Sequence, residues 1–319
     1  MKVLVTGASG FVGSELCRHL MEQGVTTTGV VRHSPTNPVP GVDYQVVSDL
    51  RKSKFWKEIL VGVDVVVHCA ARAHVIRDSE NDPLAVYREI NVEGTRCLVE
   101  QAVSYGIKRF IYISSVKVNG EGTSDHPFKA DDIPAPEDSY GLSKWEAEQV
   151  LQKIACNSKL EIVIIRPPLV YGPAVRANFL KLMRLVNSGL PLPLGAIHNS
   201  RSFVALDNLV DLILTCLHHP AAINQTFLVS DGDDMSTPEL LRRMAKAFGK
   251  SSRLIPIPAL LLRTVALILG KSEYSQRLCG SLQVDIFKAK QLLGWTPKIS
   301  VDTALLKTTK HFLKNSERH

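Results

Sequence analysis

The sequence predicts an α/β protein: a doubly wound parallel sheet, with a smaller mixed α/β lobe towards the C-terminal side. Three observations carry that expectation. Short β-branched runs alternate with helical stretches along the first half of the chain. A glycine-rich turn joins the first strand to the first helix. Residues able to do chemistry fall just after the strands, at the edge where open parallel sheets bind ligands.

Taken in order, Lys2-Val-Leu-Val-Thr6 is a short apolar run of the kind buried on both faces of a parallel sheet. Residues 14–23 are amphipathic and follow the glycine turn as a helix. Residues 26–31 and 42–47 give the second and third strands, and Val63-Asp-Val-Val-Val67 the fourth. Residues 83–105 read as one long helix. Arg109-Phe-Ile-Tyr-Ile113 is the fifth strand and runs into Ser114-Ser115. A helix carrying Tyr140 follows, then Glu161-Ile-Val-Ile-Ile165 as the sixth strand. Residues 202–230 are expected to return to the sheet. In Asp233-Asp-Met-Ser-Thr-Pro-Glu239, Ser236 or Thr237 is a helix N-cap with Pro238 at the first helical position.

The turn is Gly7-Ala-Ser-Gly10-Phe-Val-Gly13. Gly7 permits the tight bend, Gly10 lets backbone approach a pyrophosphate, and Gly13 lets helix and strand pack closely. Phe11 and Val12 complete the loop, and the phosphates sit at the positive end of the helix. This is the dinucleotide-binding Rossmann arrangement. After the second strand stand Arg32 and His33, with no acidic residue to bind the ribose hydroxyls of NAD. A guanidinium there forks onto a ribose 2′-phosphate, so NADP(H) is favoured over NAD(H); the alternative is a solvated surface arginine. Asp49 and Leu50, after the third strand, are placed to meet the adenine edge. Ala70 and Ala71 follow the fourth strand on the same side of the sheet.

Tyr140 and Lys144 are four residues apart, one turn along one helix face. A free phenol has a pKa near ~10, too high for a base at neutral pH. An ammonium held close favours the phenolate and lowers it, which makes the pair a proton shuttle for an alcohol or ketone.

Composition limits the alternatives. The chain has 319 residues, 45% hydrophobic and 22% charged, which suits a globular protein with a large core. The net charge of +7 is dispersed. No basic run with interleaved aromatics points to nucleic acid, and an anionic cofactor with an anionic substrate accounts for the balance. Cys17, Cys69, Cys97, Cys156, Cys216 and Cys279 show no metal-ligand spacing, and the histidines form no ligand set. No metal is expected, and the thiols read as reduced and mostly buried in a cytoplasmic protein. No signal peptide is expected, because the N-terminus reads directly into the first strand. Residues 257–269 are the most apolar segment. They fall short of the ~20 residues a membrane span needs and are interrupted by Arg263, so they read as a packed helix of the second lobe, with a membrane-surface contact as the alternative.

The motifs together resemble the extended short-chain dehydrogenase/reductase family, the NAD(P)-dependent sugar-nucleotide epimerases, dehydratases and reductases. The matching segments are Thr6-Gly-Ala-Ser-Gly-Phe-Val-Gly13, His68-Cys-Ala-Ala71, Asn91-Val-Glu-Gly-Thr95, Ile113-Ser-Ser115, Tyr140-x-x-x-Lys144, Arg166-Pro-Pro-Leu-Val-Tyr-Gly-Pro173 and Leu293-Gly-Trp295. The resemblance implies that Ser115 hydrogen-bonds the reacting sugar oxygen and that Tyr140 gives or takes its proton. It implies that Lys144 binds the nicotinamide ribose, with Asn91 and Pro167 also near the cofactor. Asn178 and Arg201 match residues that contact a nucleotide diphosphate, and Arg277 is a further candidate. His74, Lys117 and Glu121 are loop residues near the site, Lys117 being counted with the substrate. The expected domains are 1–166 plus 202–230 for the dinucleotide and 167–201 plus 231–319 for a UDP-sugar. A homodimer through the Tyr140 helix and the long helix before it is the family's habit.

The chemistry narrows further. Sugar dehydratases of the family carry Asp-Glu after the catalytic serine, where this chain has Val116 and Lys117. An aliphatic group cannot protonate a leaving hydroxyl, so dehydration is disfavoured. Reduction and 4-epimerisation remain. The segments at 70–77, 115–121 and 277–282 are similar to bacterial UDP-4-keto-sugar reductases that make UDP-N-acetylquinovosamine for surface polysaccharides. With Arg32, this favours reduction of a UDP-4-keto-6-deoxy-N-acetylhexosamine. The alternative is a UDP-hexose 4-epimerase that keeps NAD bound. A silent nucleotide sensor would not need Ser115, Tyr140 and Lys144 together. A reductase of apolar ketones would not need Asn178 and Arg201.

Overall fold

In the computed structural model, which describes residues 1–72, 82–268, 270 and 272–316, the β-branched runs form the centre of a sheet covered on both faces. β1 (Lys2–Thr6) leads to α1 (Phe11–Glu22), β2 (Thr26–Val31), β3 (Asp43–Val46), α2 (Trp56–Ile59) and β4 (Val65–His68). α3 (Pro83–Tyr87) passes through a π-turn at Arg88–Glu93 into α4 (Gly94–Ser104). β5 (Arg109–Ile113), α5 (Ser139–Cys156) and β6 (Glu161–Arg166) complete the alternation. The chain then leaves the sheet through β7 (Leu169–Tyr171), α6 (Ala177–Asn187) and β8 (Phe203–Ala205), and returns through α7 (Leu206–His218) to β9 (Gln225–Leu228). The remaining helices are α8 (Thr237–Ala247), α9 (Ala259–Ile268), α10 (Ser272–Cys279), α11 (Phe287–Leu293) and α12 (Val301–Ser316).

The sheet order is β3-β2-β1-β4-β5-β6-β9, and every neighbouring pair is parallel. Alternate side chains of each strand point to opposite faces. Val3, Val5, Val67, Ile111 and Val163 meet Leu16 of α1 and Leu209 and Ile213 of α7 on one side. Leu4, Val66, Phe110 and Ile162 meet Leu98 of α4 and Leu151 of α5 on the other. That two-sided burial explains why the strands read as continuous apolar runs. Strand order reverses between β1 and β4, and Thr6 lies in register with His68 there, so both carboxyl ends open at one crevice.

A third apolar cluster joins Tyr171, Phe179 and Met183 to Leu240 and Met244 of α8 and Leu305 of α12. β7 and β8 pair as a separate two-stranded sheet beside it.

Three local expectations are corrected and one open alternative, the cap of α8, is decided. α1 starts at Phe11, because extended Gly10 caps it directly at the loop. The long helix is broken by the π-turn. Ser236 is the N-cap of α8, accepting from Glu239 N at 3.2 Å, while Thr237 Oγ1 donates to Leu278 O. α9 is packed on one face only, and Leu260, Leu261, Leu267 and Ile268 stand in solvent.

Candidate functional site

The glycine loop is shaped by close contacts that leave no room for side chains. Gly7 has φ +67°, and a Cβ there would lie 2.9 Å from Ala70 N. A Cβ on Gly13 would lie 2.2 Å from Gly7 O. Gly10 ends the loop with no side chain over the N-terminus of α1. Thr6 Oγ1 accepts from Ala70 N at 3.2 Å, which ties the loop to the end of β4. The result is a backbone cradle beneath a helix N-terminus at the switch point of the sheet, and it fits a dinucleotide pyrophosphate.

Around this cradle the predicted residues differ in their engagement. Arg32 is exposed beyond β2 and makes no hydrogen bond or ion pair among the described residues. Asp49 accepts from Arg51 at 2.9 Å, which holds its carboxyl below the usual carboxylate range. Leu50 presses its side chain towards Gly94, and its carbonyl accepts from Trp56 Nε1. Asn91 lies on the π-turn and is buried. Its Oδ1 accepts from Arg72 N at 2.8 Å, and its Nδ2 donates to Ser143 Oγ at 3.0 Å. It therefore pins the exit of β4 to α5, a functional use common for π-turns.

β5 delivers Ser115 to the same edge. Val116 N donates to Pro167 O at 3.0 Å, which anchors the turn to the end of β6. Ser115 caps the short 3-10 turn Val116–Val118. Asp138 caps α5 through Gly141 N at 2.6 Å, and its other oxygen accepts from Lys117 Nζ at 2.5 Å. Lys117 also donates to Glu121 at 2.5 Å. Lys117 thus ties the Ser115 turn to the cap of the Tyr140 helix, and its ammonium is already held by two carboxylates.

Ser115 stands beside the Tyr140 phenol, and the Tyr140 ring is 5.9 Å from that of Tyr87. The expected lowering of the Tyr140 pKa by Lys144 is corrected. Burial pushes the phenol up, the nearby Asp138 charge adds to this, and the Ser115 hydroxyl opposes it. Lys144 Nζ donates instead to Ile113 O at 2.7 Å and to Tyr112 OH at 3.2 Å, over the Tyr112 ring. Burial draws its pKa down to about 8. His68 lies between Thr6 Oγ1 at 2.6 Å and Thr95 Oγ1 at 3.0 Å. Burial, then the Lys144 charge, draws it down to about 3, so it is a neutral strut.

On the lobe side, Arg201 Nη1 donates to Gly280 O at 3.0 Å. Burial, then the neighbouring Arg277 charge, holds Arg201 below its ordinary pKa. Two neighbouring guanidiniums concentrate positive charge on this side of the cleft. Asn178 Oδ1 is buried with no hydrogen-bond partner. Just before it in the chain, Ala174 and Ala177 have φ of +66° and +53°. Left-handed backbone at non-glycine residues costs ~1–3 kcal/mol each and gathers at functional sites. His74 and its neighbours lie outside the described residues.

Sequence reading missed Asp138, the strained alanines and the Tyr112 seat of Lys144. Only Asp138 left a signal, as an acid three residues before Gly141 at a helix start.

Comparison with known proteins identifies the family and matches the fold. The NAD dependent epimerase/dehydratase family model matches residues 3–230. The chain is 48% identical over 319 residues to the UDP-glucose 4-epimerase of Vibrio cholerae, spanning 99% of this chain and 97% of that protein. It is similar in fold to the UDP-glucose 4-epimerase of Thermotoga maritima solved with UDP-glucose, with a TM-score of 0.79 at 24% identity over 99% of this chain and 100% of that one. The UDP-glucuronic acid 4-epimerase of Bacillus cereus in complex with NAD gives 0.77 at 23%, over 98% and 99%. With its parallel sheet and glycine cradle, the chain belongs to the NAD dependent epimerase/dehydratase family.

Proposed function

We propose that the protein is a UDP-hexose 4-epimerase that keeps NAD bound through turnover. The observation that carries this reading is the 48% identity along nearly all of both chains with a UDP-glucose 4-epimerase. The convergence of Ser115, Tyr140 and Lys144 beside the glycine cradle supports it.

In this reading Gly7, Gly10, Phe11, Val12 and Gly13 hold the pyrophosphate, and Asp49 and Leu50 border the adenine. Ala70, Ala71, Asn91 and Pro167 shape the floor, and Lys144 reaches the nicotinamide ribose. The nicotinamide supplies a reversible hydride acceptor. Ser115 holds O4 of the sugar by hydrogen bond. Tyr140 takes the O4 proton in one direction and returns it in the other. Asn178, Arg201 and Arg277 hold the UDP diphosphate from a lobe of residues 167–201 and 231–319. Lys117 serves by position, with its ammonium locked in ion pairs. A homodimer through α3–α4 and α5, and a cytoplasmic location, complete the reading. Among the described residues no helix is long and apolar enough to cross a membrane.

A second reading keeps the same site and reverses the emphasis: reduction of a UDP-4-keto-6-deoxy-N-acetylhexosamine by NADPH. Arg32 favours it, as an exposed guanidinium at the end of β2 with no carboxylate in its place. Incubation with UDP-glucose and no added cofactor separates the two. Catalytic formation of UDP-galactose is expected. Consumption of NADPH only with the 4-keto-6-deoxy sugar, and no conversion of UDP-glucose, would move the assignment to the reductase.

A further inference from the structure

We propose that α9 is a docking element that lies in the surface of an anionic phospholipid bilayer. The helix is apolar on both sides. Its inner face, with Ala259 and Leu262, packs on the lobe cluster. Its outer face shows Leu260, Leu261, Leu267 and Ile268 at 77%, 54%, 70% and 79% exposure. Positions 260, 264, 267, 268 and 261 fall on one continuous arc at helical spacing. The neighbouring Ile255, at 47% exposure, extends the patch along the approach to the helix. A contiguous exposed apolar surface of this kind marks an interaction site.

The charge around it selects the partner. Between Glu239 and Glu273 the sequence contains no acidic residue, while Arg242, Lys246, Lys250, Arg253 and Arg263 are all basic and exposed. Lys250 and Arg253 precede the helix, and Arg263 lies on it, donating to Cys279 O at 3.2 Å. An apolar helix in a stretch of chain that carries cations and, from 240 to 272, no carboxylate complements anionic headgroups, with the apolar side chains entering the headgroup–acyl boundary. Dimension excludes a span. Ten residues make a helix of ~15 Å, half of the ~30 Å hydrocarbon core, so it lies on a bilayer rather than spanning it.

The position has a consequence for the cleft. Arg263 links α9 to the end of α10, where Gly280 O holds Arg201. Docking would therefore set the arm that carries Arg201 and Arg277 close to the membrane plane. The inference stands whichever C4 reaction the site performs.

The test is flotation of the full-length protein with vesicles of equal parts phosphatidylethanolamine and phosphatidylglycerol, at low and high salt, against vesicles of phosphatidylcholine. Wild type is expected to float with the anionic vesicles and to be released by salt. The double variant Leu260→Glu/Leu267→Glu should partition at least ~10-fold less while keeping the wild-type unfolding transition, since both side chains stand in solvent. Wild type remaining with the soluble fraction at low salt would overturn the proposal. So would equal flotation of the double variant, or sedimentation showing that the same substitutions split a dimer.

Discussion

Tyr140→Phe is expected to slow turnover by roughly 100- to 10,000-fold, the usual contribution of a positioned proton-transfer group. The substitution removes one oxygen and keeps the ring that packs at 5.9 Å from Tyr87. No packing contact of the ring is lost, so the fold survives. The effect should fall on kcat, because the Asn178, Arg201 and Arg277 side of the cleft is untouched. Steady-state kinetics with UDP-glucose, paired with a thermal unfolding curve, checks it. Undiminished kcat in a folded variant would remove Tyr140 from the chemistry.

Arg166→Met is expected to destabilise the protein by ~3–5 kcal/mol. Arg166 and Glu148 are 3% and 0% exposed and pair through two bonds, at 3.0 and 2.6 Å. Arg166 also donates to Asn119 Oδ1, and Ser114 Oγ donates to Glu148 Oε1 at 2.5 Å. Removing the guanidinium alone strands a buried carboxylate beneath the end of β5. Replacing both partners with apolar residues of similar volume should cost much less, because the penalty lies in the unpaired charge rather than in the lost attraction. Denaturant unfolding of the single and double variants measures the difference. A single variant as stable as wild type would show that the pair does not hold this part of the core. The network ends next to Ser115, so the single variant should also lose activity.

Most of the sheet was legible in the sequence because its strands are buried on both faces and β-branched, a pattern that survives without knowledge of the partners. The glycine cradle was legible for a similar reason: Gly7 and Gly13 leave no space for a Cβ, and only one residue type tolerates that. Tyr140 and Lys144 were visible as a spacing, but their electrostatics were not. Whether Lys144 meets the phenol or Ile113 O depends on how far α5 sits above β5, which no local pattern encodes. Lys117 reaches Asp138 across 21 residues and Arg166 reaches Glu148 across 18, separations at which side-chain pairing cannot be read from periodicity. Ala174 and Ala177 gave no warning of left-handed backbone, because alanine does not favour it. The segment at 257–269 was identified as helical and apolar. An apolar residue does not reveal by itself whether a core or another surface covers it, and here one face is left outside.

The central claim is that hydride leaves C4, stays on the enzyme and returns to C4 of the same sugar. UDP-glucose carrying deuterium at C4, incubated with the purified protein and no added cofactor, follows that hydride directly. UDP-galactose that retains the deuterium at C4 is expected. Galactose product with the label exchanged into solvent, or no product from a folded enzyme, would contradict it.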